Sequence, residues 1–216
     1  MPIAISLDLT ETIVGYRPRP YEYMLGIFKD FGYKITERQL FRAIAKIHGK
    51  INFANSEGLP TLNLYTLLYE LGVHPCKKLI KYLSQGDKFH DYFVYEDSLE
   101  FLKKIKNKYR IFIITNSSSK VHKIVRELNL TNYIDKIVAS CDLGIVKPNP
   151  KIFAYAKGQS NILFHIGDVY EVDYIGASRA FIKPILLDRF NFYPEIKQKA
   201  INFYDILRYM EINRLL

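Results

Sequence analysis

The sequence predicts an α/β protein: a parallel sheet covered on both faces, interrupted after its first strand by an inserted helical unit. Three observations predict this. Five short apolar runs read as buried strands, at Ile3 to Leu7, Ile111 to Thr115, Lys136 to Ala139, Leu163 to Ile166 and Pro184 to Leu187. Helical stripes separate the later runs, and strand–helix–strand alternation is the pattern of a parallel sheet. Roughly 100 residues lie between the first run and the second, far more than one crossover helix needs.

That long interval reads as helices throughout. Tyr21, Met24, Leu25 and Phe28 share one helical face, and Leu40, Ile44, Ile47 and Ile51 share another. Shorter patterns follow at Leu62, Tyr65 and Leu68, and at Leu79, Ile80 and Leu83. Breaks fall near Gly32, at Gly58-Leu59-Pro60 and at Gly72-Val73-His74-Pro75. The expectation is a helical domain over residues 15–92, inserted into a core formed by residues 1–14 and 93–216. In the core, Leu99, Leu102 and Ile105 fall on one helical face. Val121, Ile124, Val125 and Leu128 form a second stripe, and Ile152, Phe153 and Ala156 a third.

Composition narrows the function classes. A chain of 216 residues with 49% hydrophobic and 25% charged residues is globular rather than disordered. The net charge of +9 suits an anionic partner. The densest basic run, Lys103 to Arg110, nevertheless places its lysines opposite the apolar face of a helix, which reads as solvated surface and not as a nucleic-acid site. No apolar run approaches the roughly 20 residues that cross a bilayer. The N-terminus has no basic region and reaches Asp8 too early for a signal peptide. Cys76 and Cys141 lie far apart and read as reduced thiols, so a cytoplasmic protein is expected.

Ligands of open parallel sheets sit beyond the carboxyl ends of the strands, and four groups of chemically useful residues fall there. The first is Asp8-Leu9-Thr10-Glu11-Thr12, where a carboxylate leaving an apolar strand is either a turn former or a reactive group. The second is Thr115-Asn116-Ser117, which offers hydroxyl and amide donors or a helix cap. In the third, Gly144 to Phe153, two prolines hold the segment extended and set Lys147 on a constrained turn. The fourth is Gly167-Asp168, followed by Asp173. Gly167 permits a sharp exit from the strand, and two acids near one turn suit a hard, oxygen-loving cation. Together these residues are coherent. A phosphoryl group approaching a nucleophilic carboxylate needs a metal and a lysine to offset the repulsion between two anions. Asp8 with Asp168 can hold Mg2+, Thr115 can donate to a phosphoryl oxygen, and Lys147 can balance the charge.

These residues, in this order, resemble the motifs of the haloacid dehalogenase-like (HAD) hydrolase superfamily, in its branch with a helical cap after the first motif. Asp8 to Thr12 is similar to the Asp-x-Asp-x-Thr motif, Thr115 to the second motif, Lys147 within Lys-Pro-Asn-Pro-Lys-Ile-Phe to the third, and Gly167-Asp168 with Asp173 to the fourth. The resemblance implies a doubly wound, Rossmann-like sheet in strand order 5-4-1-2-3, with residues 15–92 as the cap. It implies a phosphatase in which Asp8 attacks phosphorus and water hydrolyses the aspartyl-phosphate. Mg2+ would be held by Asp8, the Thr10 carbonyl and Asp168, with Asp173 completing the acidic site directly, through water or through a neighbour. Thr115, Asn116 and Lys147 would bind the phosphoryl group. The expected partner is a small phosphorylated metabolite, handled by a monomer or homodimer, with the cap hinging around Val14 to Tyr16 and Tyr92 to Tyr95. Gly15 would suit the first hinge by tolerating unusual backbone angles. Arg17, Arg19, Arg42 and His48 are the cap residues able to face a substrate.

One position departs from the pattern. The phosphatases carry a second aspartate, the proton shuttle, where this chain has Thr10. A hydroxyl is a poor shuttle near neutral pH, and losing a general acid–base costs about 10²- to 10⁴-fold in rate. Three explanations stand. The leaving group is good enough to need little protonation, as in an acyl phosphate. His48 or Glu11 supplies the proton. Or the protein turns over slowly, or binds a phospho-ligand without turnover. A 2-haloacid dehalogenase, which needs no metal, fits less well with Asp168, and a phosphonate hydrolase would need a cap lysine that nothing singles out.

Overall fold

A computed structural model describes residues 2–19, 21–86 and 91–216. Met1 of the expected core, and Pro20 and residues 87–90 of the expected insert, lie outside the described residues. The chain opens with β1 (Ile3–Leu7) and β2 (Val14–Arg17), then α1 (Glu22–Asp30), α2 (Glu37–His48), α3 (Leu64–Glu70) and α4 (Lys77–Leu83). It returns through β3 (Asp91–Val94), α5 (Glu96–Ile105), β4 (Arg110–Thr115), α6 (Lys120–Glu127), β5 (Lys136–Ala139), α7 (Ser140–Leu143) and α8 (Pro150–Lys157). It ends with β6 (Asn161–Gly167), a π-helical turn at Tyr170–Tyr174, α9 (Ile175–Arg179), β7 (Lys183–Leu186) and α10 (Phe203–Ile212).

Five strands form one parallel sheet in the order β7-β6-β1-β4-β5. Counting only this sheet's strands, that is 5-4-1-2-3. The strands have apolar residues on both faces because both are covered. Ile5, Leu7, Ile111 and Ile113 pack with Phe101, Val121 and Phe203, whereas Ala4, Phe112, Ile114 and Val138 pack with Ile152, Phe153 and Ala177. Each of the five apolar runs lies within two residues of a strand.

The helices α1 to α4 bury Phe28, Leu40, Leu67, Leu68 and Leu79 against one another, in a cluster that reaches Leu186, Phe192 and Tyr193. Thr36 and Gln39 close a reciprocal cap on α2, with Gln39 N donating to Thr36 Oγ1 at 3.2 Å and Thr36 N donating to Gln39 Oε1 at 2.9 Å. Leu68 is buried as expected, but Tyr65, expected on the same face of α3, is 63% exposed, and Leu67 is buried in its stead. Three apolar positions over two turns define a face loosely, and tertiary packing turned it from Tyr65 towards Leu67.

The two segments expected as hinges pair with each other. β2 and β3 form an antiparallel ribbon in which Val14 faces Val94 and Tyr16 faces Tyr92. Gly15 serves there to leave space rather than to adopt an unusual angle: a Cβ would sit 2.5 Å from a ring carbon of Phe93, which would have to move aside. Among the described residues, no helix is long and apolar enough to cross a membrane.

Candidate active site

Asp8 is the first residue past β1, and its N–H donates to the Ile166 carbonyl at 2.8 Å, so β6 fixes its direction. The chain then turns tightly, with Ile13 N and Val14 N both donating to the Leu9 carbonyl at 2.9 Å. That turn sets Asp8 and Thr10 over the carboxyl ends of the strands, where Thr115 at the end of β4 and Asp168 after β6 line the same cavity.

The most buried charge in the cavity is Lys147, 1% exposed. Its Nζ donates to Asp8 Oδ1 at 2.5 Å and to Asp173 Oδ1 at 2.6 Å. Burial pulls the lysine pKa down, but Asp173 and Asp8 more than reverse this, so the ammonium is retained. Burial likewise raises Asp8, to about 6, against the pull of Lys147. At Asp173 burial is outweighed by Lys147 and His165, which hold the carboxyl at about 2. Asp168 is raised well above its ordinary value by burial and then by the charges of Asp8 and Asp173. One oxygen from each of Asp8, Asp168 and Asp173 lies within 4.8 Å of the others. Three carboxylates facing one lysine leave an excess of negative charge on hard oxygen donors, which fits a divalent cation such as Mg2+.

Asp173 is committed to protein donors. Besides Lys147, its Oδ1 accepts from His165 Nε2 at 3.1 Å, and its Oδ2 accepts from Val169 N at 3.1 Å. Burial keeps His165 neutral. A single proton on Nε2 then serves Asp173, leaving Nδ1 3.0 Å from the Ser6 hydroxyl. Gly167 is needed because a Cβ there would overlap the Asp173 carboxyl, not because the strand must exit sharply.

The residues after β4 divide their work. Thr115 is buried and faces the cavity. The Asn116 side chain is taken up by the main chain of Lys147, so it anchors that loop. The Ser117 hydroxyl lines the cavity, buried and without a hydrogen-bond partner among the described residues.

Neither alternative proton source is poised to replace Thr10. Glu11 accepts from the Tyr95 hydroxyl at 2.7 Å and from Tyr16 N at 3.3 Å, so its carboxylate is occupied. His48 has its pKa lowered to about 4 by burial, so near pH 7 it is a neutral imidazole and not an imidazolium acid. The Thr10 side chain is itself hydrogen-bonded to the Tyr16 phenol. Of Arg17, Arg19, Arg42 and His48, only His48 lines the cavity. Arg17 stacks on Phe93, Arg19 pairs with Glu37 at 2.5 Å, and Arg42 pairs with Glu195 at 2.5 Å. Ser117 is expected from the sequence as a donor at this strand end, with Thr115 and Asn116; sequence reasoning missed His165 and the cavity residue Tyr21, and only His165 left a signal, a polar ring inside an apolar strand.

Comparison with known proteins bears on the family and the fold. A family model described as haloacid dehalogenase-like hydrolase matches residues 4–181. The uncharacterized protein YMR130W of Saccharomyces cerevisiae is 24% identical over 218 residues, covering 87% of this chain and 72% of the yeast protein. The pyrimidine 5'-nucleotidase YjjG of Escherichia coli is 34% identical over 90 residues, covering 38% of this chain and 40% of the nucleotidase. Among solved structures, a predicted phosphoglycolate phosphatase from Haemophilus somnus superposes with a TM-score of 0.60 at 17% identity, covering 96% of this chain and 97% of its own. The match of the family model to most of the chain shows that the protein belongs to the haloacid dehalogenase-like hydrolases.

Proposed function

We propose that this hydrolase is a Mg2+-dependent small-molecule phosphatase with Asp8 as nucleophile. The observation that carries the reading is the Lys147 ammonium clamped between Asp8 and Asp173, with Asp168 beside them. Asp8, the Thr10 carbonyl and Asp168 are the groups that would hold the metal. Asp173, spoken for by Lys147, His165 and Val169, would act by keeping Lys147 in place. When bound, Mg2+ supplies the positive charge that lets a phosphate dianion approach the acidic cluster.

The chain's own residues then account for the steps. Lys147 directs one Asp8 oxygen and leaves the other to attack phosphorus, breaking the bond to the leaving oxygen, which departs with a proton from water. Thr115 donates to a phosphoryl oxygen. Water next attacks the phosphorus of the aspartyl-phosphate, releasing inorganic phosphate and restoring the Asp8 carboxylate. Residues 15–92 act as a cap that closes over the site and excludes bulk water, which limits substrates to small phosphorylated molecules. The likeness to a nucleotidase and to a phosphoglycolate phosphatase supports the reaction class.

The test is phosphate release from acetyl phosphate and p-nitrophenyl phosphate, with Mg2+ and with EDTA. Turnover that survives EDTA, or full activity in Asp8→Asn, would refute the reading. Thr10 favours a second reading, a slow or non-catalytic phospho-ligand binder. Saturable binding of a phosphate ester with no turnover of any ester would support it.

A further inference from the structure

A second group of metal-ligating side chains lies away from the acidic cluster around Asp8. His122 stands on α6, and Cys141 and Asp142 stand on α7, the short helix that follows β5. One ligand atom from each lies within 4.8 Å of the others. The carboxylate sits between the other two: its Oδ2 is 3.3 Å from His122 Nε2, and its Oδ1 is 3.5 Å from Cys141 Sγ. Zinc–ligand bonds of about 2.0 to 2.3 Å put tetrahedral ligand atoms about 3.3 to 3.7 Å apart, so both separations already match a coordination edge. A thiol, an imidazole and a carboxylate together select a borderline-soft ion such as Zn2+ over Mg2+. Asp8, Asp168 and Asp173, by contrast, present oxygen alone. Cys141 is partly buried, whereas the side chains of His122 and Asp142 are 40% and 49% exposed, so an ion can enter from solvent and keep a water ligand. An exposed His–Asp pair is ordinary surface by itself; the thiol turned towards the same point sets this one apart.

We propose that His122, Cys141 and Asp142 form a Zn2+ site, with water as the fourth ligand, that clips α6 to α7. Burial and then Asp142 raise the Cys141 thiol above its ordinary value, so it gives up a proton to solvent as the Zn–S bond forms. The position of the clip gives it a consequence. α6 begins at Lys120 and Val121, which line the active-site cavity, whereas Ser140 and Cys141 are in close contact with Gly58 of the inserted segment. The ion ties the cavity wall to the place where the insert meets the sheet. It touches none of the residues proposed for phosphoryl transfer, so it stands whether or not that proposal does.

The test uses the full chain carrying Cys76→Ser, which leaves Cys141 as the sole thiol. Cys76 is the N-cap of α4, a position that serine fills well. Co2+ stands in for Zn2+, with millimolar Mg2+ present to compete for the oxygen sites. Thiolate coordination gives a sulfur-to-cobalt charge-transfer absorption in the near ultraviolet, and cobalt held by the carboxylates around Asp8 does not. The expected result is an absorption that saturates at one equivalent and that Zn2+ abolishes. His122→Ala and Asp142→Ala should each weaken Co2+ binding about tenfold or more. Both side chains are exposed, so neither variant is expected to unfold the chain. Zn2+ should also raise the melting temperature of the Cys76→Ser protein more than that of the same protein carrying His122→Ala. No charge-transfer absorption, or unchanged Co2+ affinity in either alanine variant, overturns the site; the latter would show a single thiol taking up metal adventitiously. Equal thermal shifts overturn the clip.

Discussion

Asn116 and Lys147 exchange two hydrogen bonds: Lys147 N donates to Asn116 Oδ1 at 2.7 Å, and Asn116 Nδ2 donates to the Lys147 carbonyl at 2.9 Å. The exit of β4 is thereby fastened to the loop that carries the buried ammonium. Asn116→Ala frees that loop, and a misplacement of about 1 Å in a catalytic group costs about 100-fold. The expected result is a fall of about 10- to 100-fold in kcat/KM for acetyl phosphate. A variant within twofold of the parent would remove the anchoring role.

Asp168 places a third carboxylate beside Asp8 and Asp173. A carboxyl whose folded pKa is raised destabilises the fold at pH values above its unfolded pKa, where the unfolded chain ionises freely. Asp168→Asn should therefore stabilise the metal-free protein at pH 7 by about 1 kcal/mol. Millimolar Mg2+ should raise the melting temperature of the parent and leave the variant unmoved. The chain has no Trp, so circular dichroism is the readout. An equal Mg2+ response in both proteins would take Asp168 out of the metal site.

Thr10 predicts a split between substrates. Thr10→Asp restores a carboxyl that can protonate a departing alkoxide, which should raise kcat on alkyl phosphates by about 100-fold. Acetyl phosphate, whose leaving group needs little protonation, should change by only a few fold. A uniform change across both classes would mean that proton transfer is not what Thr10 limits.

His48 gives a pH-dependent stability with a definite sign. Its pKa falls from 6.5 unfolded to about 4 folded, so protonation favours the unfolded chain. The stability it contributes is present above pH 6.5 and is lost as the pH falls towards 4. Relative to His48→Leu, the parent should lose about 2 kcal/mol between pH 7 and pH 4.5 in urea titrations. Parallel losses in the two proteins would show that His48 is not desolvated.

Much of this was legible in the sequence because two independent signals coincide. The polar residues Asp8, Thr115 and Asp168 each follow an apolar run, and in a parallel sheet such ends converge. Helices with four or more apolar positions in phase, such as α2, were legible for the same reason of redundancy. The β2–β3 ribbon was not, since each strand has four residues and the partner lies roughly 75 residues away. The side chain of Asn116 could not be assigned because Lys147 is distant in sequence, and only the fold shows that its amide is already used. α10 is the exception: Phe203, Ile206, Leu207 and Met210 carry helical spacing, yet the helix was not among the expected elements.

The inserted segment is also stitched to the strand exit that leads to Lys147. Ala54 N donates to the Gly144 carbonyl at 3.0 Å, Val146 N donates to the Asn52 carbonyl at 3.2 Å, and the Ser140 hydroxyl donates to the Gly58 carbonyl. A Cβ on Gly58 would overlap Cys141, so the two backbones are in close contact there. Any motion that lifts residues 52–58 away from the sheet must first break these bonds, next to the loop that carries Lys147. Lifting that segment and unsettling the charge beside Asp8 would then be one mechanical event, because the same few hydrogen bonds lie next to the loop that keeps the lysine in register.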